Sequence, residues 1–153
     1  MPAMNDRELL LTRLLDAPRE SVFKAWTDPE HVSHWWGPTD FTVPSIRMDV
    51  WPGGSYRACL RSAEGAEYWV QGTFREIVAP ERLVFSWAWE DDDGKPDHET
   101  QVTVTFEEVG GKTLMTFRQA AFESVESRDS HEAGWDECLD RLAAWLPQAA
   151  ATS

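Results

Sequence analysis

After Asp40 the chain changes its period. Phe41–Val50, Ser55–Arg61, Glu67–Ile77, Arg82–Glu90, Glu99–Glu108 and Thr113–Ala120 alternate with a repeat of two, which places successive side chains on opposite faces of a strand. Turn signals separate several of these runs: Pro52-Gly53-Gly54, Ala63-Glu64-Gly65, Ala79-Pro80 and Gly110-Gly111. Six strands in succession need one long apolar surface to cover them. The last segment supplies it: Trp135, Cys138, Leu142 and Trp145 fall on one helical stripe, while Asp136, Glu137, Asp140 and Arg141 occupy the other side.

The front of the chain completes the pattern. Arg7–Leu15 reads as a first strand. Asp16 offers an N-cap oxygen, Pro18 suits a first helical turn and Glu20 the positive end of the helix dipole. Val22, Phe23 and Trp26 then recur at helical spacing. A second start signal follows, either a capping box from Thr27 or an Asp28 cap with Pro29 at the first position. That helix carries Val32, Trp35 and Trp36 on one face and ends at Gly37-Pro38. Asp129-x-x-Glu132 can cap the last helix. The segregation of strands from helices predicts an α+β fold. The expected form is a curved antiparallel sheet of about seven strands, with two short helices and a long C-terminal helix. One domain is expected over residues 7–146, with residues 147–153 as a disordered tail.

Composition excludes several partners. The formal net charge is −13 and the pI about 4.6, so phosphate backbones and anionic membrane surfaces are repelled. No apolar run approaches the roughly 20 residues of a membrane span, and Met1–Glu8 lacks the layout of a signal peptide. Cys59 and Cys138 stand far apart, outside any metal spacing. Two free thiols in such a chain predict a reducing, cytoplasmic setting. Nine Trp in 153 residues require a core, a cavity or an interface to take the rings.

Short motifs in a fixed order carry a resemblance over nearly the whole chain, from Leu9 to Leu146. They are Asp16-Ala17-Pro18; Asp28-Pro29-Glu30 with Trp35-Trp36-Gly37-Pro38; Asp49 before Pro52-Gly53-Gly54; and Gly72 with Glu76-Ile77. Pro80-Glu81-Arg82-Leu83-Val84-Phe85 follows, then Gly134-Trp135 leading to Leu139 and Leu142. The chain resembles bacterial, single-domain members of the activator-of-heat-shock-protein-ATPase-homologue family, within the START-like, polyketide-cyclase-like superfamily. The resemblance implies the helix-grip fold and a cavity between sheet and last helix. Relatives hold small hydrophobic ligands there, and some superfamily members catalyse cyclisation or hydrolysis. The eukaryotic namesakes stimulate a chaperone ATPase through a chain with an additional domain. The family pattern usually places Arg two residues after Asp49, where this chain has Trp51.

The inward strand faces are aromatic. Tyr56, Ala58 and Leu60 share one face; Leu83, Phe85, Trp87 and Trp89 another; Met115 and Phe117 a third. With Trp36, Trp135 and Cys138, the residues Tyr56, Ala58, Leu60, Phe85, Trp87, Trp89, Met115 and Phe117 are the expected ligand-binding set; an ordinary aromatic core is the competing reading of the same pattern. Small Ala58 among large neighbours is expected to leave space. Gly134 is expected to let the last helix approach the sheet.

Chemistry-bearing candidates are few. His31 and His34 lack further ligands at metal spacing and read as surface residues. His131, a turn before Trp135, reads as a solvated or capping residue at the helix start, with a base at the cavity mouth as the other reading. Cys138 reads as packing. Tyr56, Gln119 and His131 are the candidates an enzyme would use. Glu90-Asp91-Asp92-Asp93-Gly94 lacks the ligand order of a calcium loop and reads as a solvated turn. No metal, cofactor or catalytic nucleophile is expected. The expected function is a cytoplasmic binder of a small hydrophobic or aromatic ligand. The alternatives are a cyclase- or hydrolase-type enzyme using the same cavity, and a chaperone-interacting protein with a patch around Trp51 or Trp69. A homodimer stays open.

Overall fold

The computed structural model describes residues 8–37, 39–120 and 122–152, with side chains as far as Leu146. Strand β1 (Leu9–Leu15) leads into helices α1 (Arg19–Thr27) and α2 (Pro29–Val32). Strands β2 (Thr42–Met48), β3 (Ser55–Arg61), β4 (Glu67–Val78), β5 (Arg82–Trp89), β6 (Thr100–Val109) and β7 (Lys112–Ala120) follow, and helix α3 (Val125–Thr152) ends the chain. The strands form one antiparallel sheet in the order β1-β7-β6-β5-β4-β3-β2. β1 therefore closes against the last strand, and the meander itself runs without a crossover. This is the helix-grip α+β fold, with every expected strand present.

The caps differ from the expected ones in two of three helices. α1 begins beyond Pro18, which takes the N-cap position with extended backbone and offers no side-chain oxygen; Asp16 lies too far upstream to cap it. At α2 the Asp28 side chain accepts from the Glu30 amide at 2.9 Å with Pro29 in the first turn, while Thr27 ends α1 and donates to the Phe23 carbonyl at 2.9 Å. α2 is only four residues long. Trp35 and Trp36 lie in the turns beyond it, and both are buried. α3 starts before Asp129: the Ser124 hydroxyl accepts from the Ser127 amide at 3.0 Å, which is ordinary N-cap chemistry. The helix continues to Thr152, in keeping with the strong helix propensity of its Ala-rich end.

α3 buries Trp135, Cys138, Leu139, Leu142 and Leu146 against the sheet. Trp145, expected on the same stripe, is half-buried and packs instead on the rings of His31 and His34. Arg13 of β1 pairs with Asp136 and Asp140 on α3, tying the helix to the sheet edge. β5 is buried on both faces, since Val84, Ser86 and Ala88 are covered as well as Leu83, Phe85 and Trp87. On edge strand β2 the register breaks between Thr42 and Ser45, around Pro44, which lacks the amide a regular ladder needs. Among the described residues no helix is long and apolar enough to cross a membrane.

Candidate ligand-binding cavity

One part of the sheet is not filled by α3. A cavity of about 380 Å³ opens there. Four indoles wall it: Trp36 from the turn after α2, Trp87 and Trp89 from β5, and Trp135 from α3. Gly37, Phe41, Leu60 and Tyr68 close one side; Ser130, His131, Gly134 and Cys138, all on α3, close the other. Residues 130, 131, 134, 135 and 138 fall on one helical face by their spacing, so a single face of α3 serves both the core and the cavity. Gly134, expected as a packing point, stands in the cavity wall, where its missing side chain widens the space.

Trp36, Leu60, Trp87, Trp89, Trp135 and Cys138, expected from the sequence, thus meet around one space. Trp87 and Trp135 lie 4.9 Å apart between ring centroids. Tyr56, Ala58, Phe85, Met115 and Phe117 are not in its wall. They share the inward face but are sealed in the core. For Phe85 and Phe117 the reason is Trp26 of α1, whose ring contacts both, and Trp135 as well, with centroids 6.2–6.3 Å away; Tyr56 is covered by the rings of Trp36, Phe74 and Phe85. Trp26 plugs a part of the grip that the strand pattern alone leaves open. Phe41, Tyr68, Gly37 and Ser130 are lining residues that the strand pattern did not single out. Phe41 and Gly37 belong to a connection without periodicity, and Tyr68 sits half exposed at the mouth.

The Tyr56 hydroxyl donates to the Ser86 carbonyl at 2.5 Å. It occupies a gap in the β4–β5 ladder, where the Thr73 amide donates to the Ser86 side chain at 2.8 Å. Burial, with Glu99 nearby, raises the phenol well above its ordinary value. A Cβ at Gly72 would lie 2.0 Å from the Ser86 oxygen and 2.7 Å from the Tyr56 hydroxyl, so this position admits only glycine. Gln119 is fully buried and donates to the Thr100 hydroxyl at 2.7 Å.

His131 and Cys138 bring titratable groups from α3 to the cavity. His131 Nε2 accepts from the Trp89 indole N–H at 3.1 Å. Its Nδ1 lies 2.8 Å from the Ser127 carbonyl. An indole nitrogen only donates, so Nδ1 carries the imidazole proton and donates to Ser127. Burial pulls the pKa of His131 below its ordinary value, against the smaller upward pull of the Ser127 carbonyl. Cys138 is pushed up to about 12 by burial, and its thiol faces the Trp35 carbonyl at 3.5 Å. It is a protonated packing group, not a thiolate nucleophile.

Glu90, expected in a solvated turn, is instead a buried carboxylate. It accepts from both Arg57 nitrogens at 2.6 and 2.9 Å and from Gln71 at 2.8 Å. The hydrogen bonds from Arg57 hold it below the usual carboxylate range. Arg57 also lies 4.0 Å over the Trp69 ring, whereas Trp51 is 58% exposed. Among the described residues no group of three or more His, Cys, Asp or Glu side chains is placed to hold a metal.

A curved seven-stranded sheet gripping one long C-terminal helix, with a cavity between them, defines a helix-grip protein of the START-like superfamily. Residues 16–147 match the model of the family "Activator of Hsp90 ATPase homolog 1-like protein", and the chain belongs to that family. It is similar to a crystal structure of a protein of this name from Silicibacter pomeroyi, at 28% identity and a TM-score of 0.86 over 93% of this chain and 99% of that one. A protein from Chromobacterium violaceum follows the same course at 25% identity and a TM-score of 0.81, over 95% of this chain and 98% of that one. One from Nitrosomonas europaea, at 24% identity and a TM-score of 0.82 over 95% and 97%, shares the fold. No curated protein matches the chain.

Proposed function

We propose that this chain is a binding protein that holds a small, mainly apolar molecule between the sheet and α3, without turning it over. The observation that carries this reading is the cavity of about 380 Å³ walled by Trp36, Trp87, Trp89 and Trp135. Its size falls within the range of small-ligand sites, and aromatic walls with few polar groups are their usual lining. Removing about 200 Å² of apolar ligand surface from water would contribute roughly 5 kcal/mol before the cost of association.

The enzyme reading would need a base at the cavity. His131 is the candidate, but both of its ring nitrogens are engaged, and a proton could reach Nε2 only after the Trp89 bond opened. The Cys138 thiol stays protonated at neutral pH. These two arrangements support the binder over the cyclase or hydrolase.

The test is a titration of the intrinsic Trp fluorescence with Nile red, a neutral apolar dye, beside native mass spectrometry of the gently purified protein. The expected result is saturable binding of one molecule per chain, lost in Gly134→Leu, whose side chain would enter the cavity, with the far-UV spectrum unchanged. Absence of saturable binding would overturn the proposal. So would turnover of ester or lactone substrates that disappears in His131→Ala, which would establish the enzyme.

A further inference from the structure

We infer that the molecule held in the cavity carries an uncharged hydrogen-bond acceptor, a ketone, ester or amide carbonyl on an apolar body, and that its oxygen accepts from the indole N–H groups of Trp36 and Trp87. This rests on the cavity being a binding site, as proposed above.

The donors point to an acceptor. Trp36 and Trp87 both line the cavity, are 4% and 5% exposed, and lie 5.5 Å apart between ring centroids. An indole nitrogen only donates. Both Nε1 atoms are buried, and among the described residues neither has a hydrogen-bond partner. A buried donor without an acceptor is costly and uncommon in a folded protein. The fold does supply acceptors to two other indoles: Trp35 Nε1 donates to the Ala25 carbonyl at 3.1 Å, and Trp89 Nε1 to His131 at 3.1 Å. Trp26 Nε1 is unpartnered as well, but its ring belongs to the core and not to the wall. Two unpartnered donors on neighbouring rings of one cavity match one carbonyl oxygen, whose two lone pairs accept twice. Each nitrogen is covered, so its ring tilts toward the oxygen as the bond forms.

The rest of the wall fits a ligand that accepts and carries no charge. The imidazole of His131 is engaged at both nitrogens, and the Cys138 thiol is turned to the Trp35 carbonyl. No Lys, Arg, Asp or Glu lines the cavity. Neither a carboxylate nor an ammonium head would meet a counter-charge there, and a bare charge is costly to bury. The net charge of −13 also repels anions from a distance.

The experiment displaces bound Nile red with three probes of one shape: 4-phenyl-2-butanone, its hydrocarbon counterpart 3-methylbutylbenzene, and 3-phenylpropanoate. Wild type is compared with Trp36→Phe and Trp87→Phe, which keep an aromatic ring and remove the N–H. The space that Phe leaves affects ketone and hydrocarbon alike, so the ratio of their affinities reports the N–H. That ratio is expected to fall ~5-fold in each variant, as for one neutral hydrogen bond, and the carboxylate is expected to displace least. A second readout uses the wild-type chain alone, so it decides even where a Phe variant fails to fold. The indole N–H signals of Trp36 and Trp87, assigned by NMR through their own ring protons, are expected to move downfield with the ketone and not with the hydrocarbon. An unchanged ratio in both variants, or indole signals that the two probes move alike, overturns the acceptor assignment while the cavity remains a binding site. A fall in one variant only overturns the paired donation, and a carboxylate that binds as well as the ketone overturns the uncharged head. Failure of Nile red itself to bind overturns the cavity reading and this inference with it.

Discussion

The indole N–H of Trp89 on β5 donates to Nε2 of His131 on α3 over 3.1 Å, a polar bond across the mouth of an otherwise apolar grip. A proton on Nε2 abolishes the acceptor, so acid breaks the bond directly. Burial holds the folded-state pKa of His131 below the ordinary value of 6.5, so between those two values the unfolded chain binds the proton and the folded one does not. Stability contributed by neutral His131 is therefore complete above about pH 6.5 and is lost as pH falls through the folded pKa. The wild-type melting temperature is expected to drop between pH 7.5 and 5.5 more steeply than that of His131→Gln, which accepts a hydrogen bond but does not titrate. Parallel pH profiles of the two proteins would show that His131 is not the group responsible.

Trp135 joins the core to the cavity. Its ring lies 4.5 Å from Phe117, 4.9 Å from Trp87 and 6.2 Å from Trp26 between centroids. Trp135→Ala is expected to cost about 3 kcal/mol, the low end for such a truncation because one side of the ring already borders open space. Urea denaturation measures it. A loss below about 1 kcal/mol would mean that Trp135 is not packed as described.

Gly72 is a second point of sensitivity, remote from the cavity wall. Because a Cβ there would meet the backbone oxygen of Ser86 at 2.0 Å, Gly72→Ala must displace β5 or β4. The expected loss exceeds about 2 kcal/mol, as for overpacking in a well-filled core. Tyr56→Phe removes only the neighbouring hydroxyl, so the double variant is not expected to recover stability. Rescue in the double variant, read from the denaturation midpoint, would place the clash on Tyr56 instead.

Much of the fold is local in origin and was legible in the residues themselves. Period-two alternation marks each strand within a residue or two, because a pleated strand buries alternate side chains. The Trp135–Leu142 stripe marks the gripping helix for the corresponding reason at a period of 3.6. Asp28-Pro29-Glu30 encodes its own cap. The start of α3 was misplaced because Ser124 and Asp129 are equally plausible caps until the helix face toward the sheet is known.

The cavity is another matter. The inward faces of β3, β5 and β7 look alike in sequence, all apolar and largely aromatic. On β5 and β7 the division into sealed core and open cavity was decided by Trp26, which α1 inserts beside Phe85 and Phe117 but not beside Trp89. Gly37, Phe41 and Tyr68 became lining residues only when the connection after α2 folded against the mouth. The bond between Trp89 and His131, residues 42 positions apart, likewise has no local signal. The alternation of apolar and polar residues determined which faces turn inward. Only the packing of elements distant along the chain decided where that inward surface was left unfilled, because an unfilled volume depends on how several side chains meet and not on the character of any one of them.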